Sequence, residues 1–553
     1  MHYFRCLFLA LTFSLVVPLM AANYAFSQPS DFIDYPNHQQ LGQRLQQLAN
    51  NHPDFARLQS LTKTYGGKDI WLLTIGSGDI ENKPALAIVG GVEGNHLLGS
   101  ELAVQFAAQI LSRRNEAHIR NLLDSVSFYV FPDMSPDARE QYFAPLQYER
   151  LGNAFPTDLD RDGRIGEDPY NDLNNDGMIT MMRIKDPTGA WMVHPEDERV
   201  MVKARPEKGE RGQYLLFSEG YDMDKDGQFN EDGEEGVFFN RNFTFKYPQF
   251  TRGAGEHAVS ELETRAIADF LYGAKNVFAV ISFGPANNLS KPLSFSEREA
   301  GARIHTGWKK QDITINEQIS HLYNKHITSQ APTAAPGSDG DFFQWAYFHY
   351  GRFSFSTQGW QVPAPEKPEP NAIASDELNF LRWAEAHELE DVFVPWTPIS
   401  NHPDFPGREV EVGGVVPFAM KNPPYAMVDS IILKHTDFIV DVAALRPQID
   451  IINLETENLG RNLHRVSLEV INKGAFPTAS ETGEQVRWMQ KTVLRTELPD
   501  GMNLISGKPV EVMGAIAPHS VEKRSWLIQG RGNATIRAGA EASGIKEIQI
   551  NLR

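Results

Sequence analysis

A carboxylate and an imidazole lie three residues apart just after a strongly apolar run. The run is Ala85–Val89, and the two side chains are those of Glu93 and His96. A continuous apolar run is typical of a fully buried strand, and glycines interrupt it before a helical pattern begins. Open α/β sheets place their binding sites at this end of their strands. Carboxylate oxygens and imidazole nitrogens both bind zinc, so the pair is a candidate metal site.

A second set of candidate ligands lies between residues 157 and 235, where the sequence becomes acidic and rich in glycine. Three segments there carry alternate Asp or Asn residues followed by glycine: Asp158, Asp160 and Asp162; Asp172, Asn174 and Asp176; Asp222, Asp224 and Asp226. Such loops suit calcium, which takes about six to eight oxygen ligands. An EF-hand also needs a glutamate at the last loop position, and these positions are Pro169, Arg183 and Gly233. Isolated calcium loops are therefore one interpretation, and an acidic insertion held by Asx-turns is the other.

The composition predicts an exported protein that does not bind polyanions. The 553 residues carry a formal net charge of -19, which argues against a nucleic-acid or anionic-membrane partner. The single cysteine, Cys6, precedes an apolar stretch typical of an export signal, which we place at residues 1–27. Its cleavage would leave a chain without cysteine in the periplasm or outside the cell. An uncleaved anchor is the alternative, and no later stretch is apolar enough to span a bilayer.

Strand and helix patterns alternate over most of the chain. Buried-strand runs at residues 126–131 and 277–283 are separated by amphipathic stretches, which predicts an α/β fold with helices on both faces of a sheet. We expect this domain to cover residues 28–434, including the acidic insertion at about 157–235. After about His435 the pattern changes to short alternating strands, which predicts an all-β, Ig-like sandwich over residues 435–553.

Several of these segments resemble, in the same order, the M14 family of zinc metallocarboxypeptidases of the carboxypeptidase A type. They span roughly residues 35–425 and comprise the turn around Glu93 and residues 132–137, 240–243, 260–265, 281–284 and 345–360. The resemblance implies a mixed central sheet and an exported bacterial peptidase. It also implies a zinc ion that polarises the scissile carbonyl, and a glutamate base that takes a proton from the zinc-bound water.

The chain departs from this family at the residues that carry the chemistry. The family has His-x-x-Glu where this chain has Glu93 and His96. The family's third ligand, a histidine after a later strand, corresponds to Gly284, and its glutamate base corresponds to Gln358. A neutral amide cannot act as a general base, a contribution typically worth about 10²–10⁴-fold in rate. The resemblance therefore implies a degenerate site in which zinc binding and hydrolysis are both impaired.

The part of the family's site that holds the C-terminal carboxylate of the substrate is better retained. Asn240 and Arg241 match the family's pair, and a guanidinium binds a carboxylate well through two parallel hydrogen bonds. Arg183, which precedes this pair, is a candidate second cation. The alternative is that Arg241 pairs with one of the many acidic residues near it.

Three functional hypotheses follow. In the first, the chain is an M14-like protein without hydrolytic activity that retains a cleft for peptide C-termini or other carboxylates. In the second, it is an active zinc carboxypeptidase with an altered ligand set, completed by a side chain such as His257, His305 or His349. In the third, it is an exported binding or adhesion protein that acts through the β-sandwich and the calcium loops.

Overall fold

The computed structural model describes residues 34–158, 165–166, 168–223, 225, 227–230, 236–327, 335–363 and 373–553. The helices are α1 His38–Asn51, α2 Leu97–Ser112, α3 Ala117–Ser125, α4 Pro136–Arg139, α5 Leu262–Gly273, α6 Glu297–Gly301, α7 Lys310–His326, α8 Phe342–Phe348, α9 Asp376–Ala386 and α10 Val428–Ala444. The strands are β1 Ala56–Lys63, β2 Asp69–Ile75, β3 Ala85–Val89, β4 Ser127–Phe131, β5 Met181–Lys185, β6 Trp191–His194, β7 Asp197–Lys203, β8 Tyr214–Ser218, β9 Val277–Phe283, β10 Phe353–Thr357, β11 Phe393–Ile399, β12 Val410–Val415, β13 Ile449–Gly460, β14 Leu463–Asn472, β15 Val493–Glu497, β16 Asn503–Ser506, β17 Val510–Val512, β18 Val521–Gln529, β19 Gly532–Ala540 and β20 Gly544–Leu552.

The export signal expected at residues 1–27 lies outside the described residues. Within the described part of the chain, we find no helix with the length and apolar character needed to cross a membrane.

The first domain is built on a six-stranded mixed sheet with the order β1-β2-β4-β3-β9-β10. Strand β3 runs parallel to both β4 and β9, and β9 runs parallel to β10, whereas β1, β2 and β4 pair antiparallel. Every residue of β3, β4, β9 and β10 is buried. Burial on both faces explains the mostly apolar sequences of β3, β4 and β9, whereas β10 alternates Phe with Ser. Helices α1, α2, α7 and α10 cover one face, and α5 and α8 cover the other. The predicted α/β fold is confirmed.

A second six-stranded sheet lies where the sequence suggested an acidic loop. Its order is β11-β12-β5-β8-β6-β7, and its strands pair antiparallel. Four of these strands come from residues 181–218, inside the acidic insertion. All residues of β8 are only half-buried, so the strand lacks the alternation of apolar and polar residues that would have revealed it.

The C-terminal domain consists of two four-stranded antiparallel sheets, β13-β14-β18-β16 and β17-β15-β19-β20, and the predicted β-sandwich is confirmed. The expected boundary at His435 falls inside α10. Ile432, Phe438 and Ile439 of this helix lie in the core of the first domain. The sandwich therefore begins at Ile449, later than expected. The boundary was placed too early because the polar residues 434–437 interrupt the apolar period of α10.

The two domains share a buried core. Phe476 of the sandwich is 1% exposed, and its ring centroid lies 5.3 Å from Phe278, 5.3 Å from Phe353 and 6.1 Å from Phe355. Nearby, the buried carboxylate of Asp312 on α7 accepts hydrogen bonds from the backbone of residues 481 and 482 at 2.9 and 3.2 Å. The sandwich is therefore packed into the first domain through apolar and polar contacts.

A buried pair of carboxylates connects α5 to the start of the insertion. The side-chain amide of Asn153 donates to Glu261 at 2.8 Å and to Glu263 at 2.7 Å. Among the residues that the structure describes, the second carboxylate oxygen of Glu263 has no hydrogen-bond partner. Burial, reinforced by the negative charges of Glu261 and Asp137, raises the pKa of Glu263 to about 8. This carboxyl group therefore keeps its proton at neutral pH.

This shift makes stability depend on pH. The pKa of Glu263 rises from an ordinary value of 4.5 to about 8 in the folded chain, so the folded state binds the proton more tightly. The protonated Glu263 carboxyl therefore contributes fully to the stability of the folded chain below the pKa that Glu263 has in the unfolded chain. This contribution is lost as the pH rises through the pKa of about 8 that Glu263 has in the folded chain. We expect Glu263→Gln, which cannot ionise, to be more stable than the wild type at about pH 9 and to have a flatter stability profile. Urea unfolding at a series of pH values measures this. The exposed Glu256→Gln is the control, and a profile of Glu263→Gln parallel to the wild type would contradict the assignment.

Candidate functional site

A cleft of about 720 Å³ opens at the carboxyl ends of β3, β9 and β10. These strands are neighbours in the mixed sheet and run parallel, so the residues that follow them meet at one edge. The cleft is lined by Glu93, His96, Gly284 and Gln358. The structure therefore brings together all four positions that the sequence indicated for metal ligands and base.

His96 is buried, and its ring is engaged with the turn after β10. Its Nε2 atom lies 2.9 Å from the carbonyl oxygen of Gln358. A carbonyl oxygen only accepts hydrogen bonds, so Nε2 carries the proton and has no lone pair for a metal. The other nitrogen, Nδ1, lies beside the first turn of α2, where a Cβ atom on Gly99 would be only 2.9 Å away. Burial lowers the pKa of His96 to about 4, so the ring is neutral at pH 7.

Glu93 is half-buried, and no charged or amide group of its surroundings outweighs the effect of that burial. Burial raises the pKa of Glu93, while Lys421, the amide of Asn240 and the charge of Arg241 act in the opposite direction. The pKa of Glu93 therefore lies above its ordinary value.

The space beside Gly284 is already filled. Its backbone N–H donates to the carbonyl oxygen of Thr357 at 3.0 Å, which continues the pairing of β9 and β10. A Cβ atom on Gly284 would lie 2.3 Å from Cγ2 of Val92, far inside a normal contact distance. Val92 directly precedes Glu93 and is 3% exposed. A side chain at position 284 therefore cannot be added without moving the turn that carries Glu93.

The residues of the cleft do not fit the zinc ion that the resemblance implies. Catalytic zinc sites use three protein ligands and one water. Here the Nε2 atom of His96 is committed to a carbonyl oxygen, and Gly284 offers no ligand, which leaves Glu93 alone among the three family positions. Within the described ranges, no group of three or more His, Cys, Asp or Glu side chains is placed to hold a metal.

Two charged residues of the cleft were missed by sequence reasoning. Nζ of Lys421 lies 3.2 Å from Oε2 of Glu149, and both side chains line the cleft. Glu149 also accepts the side-chain amide of Asn95 at 2.8 Å and the backbone N–H of Phe418 at 3.1 Å. Both charged residues come from loops far apart in sequence and belong to no motif, so no spacing signal could have identified them.

The two candidate arginines have different surroundings. Arg241 donates through Nη1 to the carbonyl oxygen of Arg252 at 2.8 Å and lies close enough to Glu93 to lower its pKa. Arg183 lies on β5 of the second sheet and does not line the cleft. Its Nε donates to Glu411 at 2.7 Å. Neither arginine lines the cleft, and of the two only Arg241 acts on the pKa of Glu93.

The histidines considered as substitute ligands lie outside the cleft lining. His349 is within hydrogen-bonding distance of the hydroxyl of Thr244, at 2.6 Å, and the ring of His305 lies 6.1 Å from that of Phe348. Nδ1 of His257 lies 3.1 Å from the carbonyl oxygen of the next residue. None of the three completes a metal site with His96.

The predicted calcium loops are described only in part. Asp172 accepts the backbone N–H groups of Asp176 and Gly177 at 3.2 and 2.8 Å, and the side-chain amide of Asn174 donates to Asp176 at 2.8 Å. Asp222 accepts the backbone N–H of Gly227 at 3.1 Å. The backbone N–H groups of Asp176 and Met178 donate to the side chains two residues before them, Asn174 and Asp176, at 3.0 and 2.8 Å, and these two are the bonds of Asx-turns. Four further predicted ligands lie outside the described residues: Asp160, Asp162, Asp224 and Asp226. Asp158 is the last described residue before the first of these gaps. Calcium binding stays a prediction.

Similarity to known proteins bears on the family of this chain. Residues 41–363 match the model of the family described as Zinc carboxypeptidase, and residues 448–551 match Domain of unknown function (DUF8731). A zinc carboxypeptidase of Saccharothrix mutabilis subsp. capreolus is 29% identical over 115 residues, which are 20% of this chain and 26% of that protein. Carboxypeptidase M of Mus musculus is 28% identical over 144 residues, 25% of this chain and 30% of that protein. The chain thus matches less than a third of the length of either relative.

Solved structures of carboxypeptidases align with much of this chain. Carboxypeptidase A from Helicoverpa armigera aligns with 77% of this chain and 78% of its own, at 13% identity and a TM-score of 0.38. A metallo-carboxypeptidase from Burkholderia cenocepacia aligns with 73% of this chain and 69% of its own, at 11% identity and a TM-score of 0.33. The family model covers more than half of the chain, and the protein belongs to the zinc carboxypeptidase family, M14.

Proposed function

We propose that this M14 protein does not hydrolyse peptides and instead binds ligands with a free carboxylate, such as peptide C-termini, in the cleft. One observation carries the proposal: Glu93, His96, Gly284 and Gln358 line one cleft, and each differs from the family's catalytic residue. We further propose that the protein is exported and acts in the periplasm or outside the cell.

The loss of hydrolysis follows from the chemistry of these side chains. Peptide hydrolysis by this family needs a group that removes a proton from water, and the amide of Gln358 cannot accept one. It also needs electrostatic stabilisation of the developing oxyanion. The carboxylate of Glu93, which replaces a neutral histidine, adds negative charge where the reaction would require positive charge. Neither requirement is met by the residues at the family's positions, Gln358 for the base and Glu93 for the first ligand.

Carboxylate binding is supported by the donors and cations around Glu93. Lys421 lines the cleft, and the charges of Lys421 and Arg241 both act on Glu93. The apolar parts of Trp360 and Met420 provide walls for the body of a ligand. A mostly apolar pocket with a few placed polar groups is typical of small-ligand sites.

We expect the purified protein to contain far less than one zinc per chain and to release no amino acid from peptide C-termini, even with added zinc. It should bind a peptide with a free C-terminus more tightly than the same peptide with a C-terminal amide. Elemental analysis, chromatography of peptide products and titration calorimetry measure the three properties.

Lys421→Met should reduce the preference for the free carboxylate. Stoichiometric zinc with turnover that Glu93→Ala abolishes would instead establish the second hypothesis, an active enzyme with an altered ligand set.

A further inference from the structure

We infer that a second pocket of this protein, lined by aromatic side chains, binds an organic ammonium whose nitrogen is surrounded by methyl groups. This aromatic pocket has a volume of about 290 Å³ and lies between residues 416–425, the short helical turn at residues 140–143, and α9 with the loop that follows it. Six of its lining side chains are aromatic: Tyr35, Tyr142, Phe380, Trp383, Phe418 and Tyr425. None of its described lining residues also lines the cleft, so the inference does not rest on the proposed function.

Several of these rings stand nearly at right angles to one another. The ring of Tyr35 lies 6.3 Å from that of Tyr142 at an interplanar angle of 87°, and 5.2 Å from that of Tyr425 at 79°. The ring of Tyr142 lies 5.2 Å from that of Phe418 at 86°. Edge-to-face pairs of this kind are a favourable aromatic arrangement, so the native packing holds the rings in place. Rings that face different directions can surround one cation, which their negative π faces attract.

The hydroxyl hydrogens of the three tyrosines are already used. Tyr35 donates to a backbone carbonyl oxygen at 2.9 Å, and Tyr425 donates to the carboxylate of Glu101 at 3.0 Å. Tyr142 is within donating distance of both carboxylate oxygens of Asp34, at 2.9 and 3.0 Å. These side chains therefore offer no free hydroxyl hydrogen to a ligand, which disfavours an anion or any other ligand that needs a hydrogen-bond donor.

The side-chain amides of the pocket are also engaged. The amide nitrogen of Asn422 donates to the carbonyl oxygens of Asn95 and Phe418 at 2.9 and 3.0 Å. The amide nitrogen of Gln147 donates to the carbonyl oxygen of Tyr142 at 2.8 Å. Apart from two carboxylates, the other described lining side chains are apolar, and three of them are prolines. A primary ammonium has three N–H groups to satisfy, whereas a fully methylated ammonium has none and suits an apolar wall.

The charge of the lining indicates a cation. Asp34 and Asp391 are both exposed to solvent, and among the described lining residues they are the only ones with a formal charge. The chain as a whole carries a net charge of -19, so the field outside the pocket also attracts cations. A cation held against aromatic faces is the arrangement by which proteins recognise quaternary ammonium ligands. The pocket is close to the lower end of the usual size range of ligand sites, about 300–1,000 Å³, which suits a small ligand.

The test compares choline with 3,3-dimethylbutan-1-ol, an alcohol of the same shape in which carbon replaces the charged nitrogen. Both are titrated by calorimetry into the full-length protein. We expect choline to bind at least about tenfold more tightly than the alcohol, because the rings and the carboxylates act on its charge. Equal affinities would show that the pocket selects shape and not charge, and would overturn the inference. The absence of choline binding would overturn it as well.

Two variants test whether the aromatic pocket is the binding site. Trp383→Leu keeps an apolar wall but removes a π face, so it should weaken choline binding by about threefold or more. The double variant Asp34→Asn, Asp391→Asn keeps the shape of both side chains and removes their charges. It should weaken choline binding by about threefold or more and leave binding of the alcohol unchanged. The double variant also keeps the test valid if Trp383→Leu folds poorly.

Glu390→Gln is the matched control. Glu390 is exposed and adjacent to Asp391 in sequence, but it does not line the pocket. Its replacement should change choline affinity by less than about twofold, because solvent screens its charge. If Glu390→Gln weakened choline binding as much as the double variant, the effect would be one of net charge and the inference would be wrong.

Binding of choline in the cleft is the competing outcome, since Glu93 also offers a carboxylate there. If Glu93→Gln abolished choline binding while the variants of the aromatic pocket left it unchanged, the inference would be overturned. Losses in Trp383→Leu and in the double variant, with an unchanged affinity in Glu93→Gln, would place the ammonium in the aromatic pocket.

Discussion

Replacing Phe476 with alanine is expected to lower the free energy of unfolding by about 3–5 kcal/mol, the usual cost of removing a large aromatic side chain from a core. Phe476 belongs to the sandwich by sequence, but its ring packs against Phe278 and Phe353 of the first domain. The variant should therefore destabilise the mixed sheet as well as the sandwich. Urea unfolding followed by tryptophan fluorescence and circular dichroism measures the change. Phe295→Ala is the control, since Phe295 is 41% exposed.

Removal of residues 448–553 should have a still larger effect. It would expose the aromatic residues that Phe476 covers and would leave the buried carboxylate of Asp312 without two of its backbone donors. An unsatisfied buried charge is costly, so we expect the shortened chain to lose its cooperative thermal transition. A transition within a few degrees of that of the full chain would show that the first domain is independent. The experiment also bears on the third hypothesis, in which the sandwich acts as a separate binding module.

The second large effect is expected for Gly284→His, which restores the residue type that the family has at this position. Because a Cβ atom there would lie 2.3 Å from Val92, the variant should lose about 1–3 kcal/mol of stability through overpacking. It should also fail to bind zinc, since the Nε2 atom of His96 remains committed to the carbonyl of Gln358. Denaturant unfolding and elemental analysis measure the two effects.

A double variant tests the cause. Val92→Ala removes the methyl group that Gly284 contacts, so Gly284→His should cost less in the Val92→Ala background than in the wild type. If Gly284→His lowered the free energy of unfolding equally in both backgrounds, Val92 would not be the side chain that fills the space beside Gly284. Tight zinc binding by Gly284→His alone would show that His96 can give up its hydrogen bond, and would weaken the argument against a metal site.

Much of the fold and the position of the site could be predicted from sequence. The run Ala85–Val89, followed by glycines and a helix, identified β3 and α2, because a strand buried on both faces leaves an uninterrupted apolar signal. The parallel order of β3, β9 and β10 then places Glu93, Gly284 and Gln358 at one edge. Local pattern and sheet topology together were sufficient for this part of the site.

The remaining features depend on contacts between distant parts of the chain. The second sheet was missed because β6 and β8 are short and mostly half-buried, and because its β11 and β12 come from residues far from the acidic insertion. The ion pair of Glu149 and Lys421 joins two loops without a motif.

The hydrogen bond from His96 to the carbonyl oxygen of Gln358 has a consequence for how the native state is reached. In a metalloenzyme of this fold, an ion links the turn after β3 to the other strand ends, so folding and metal supply are coupled. Here an imidazole attached to the β3 turn is bonded directly to the turn after β10. We expect this hydrogen bond to hold the two turns together without an ion, so that folding of the chain does not depend on the supply of zinc.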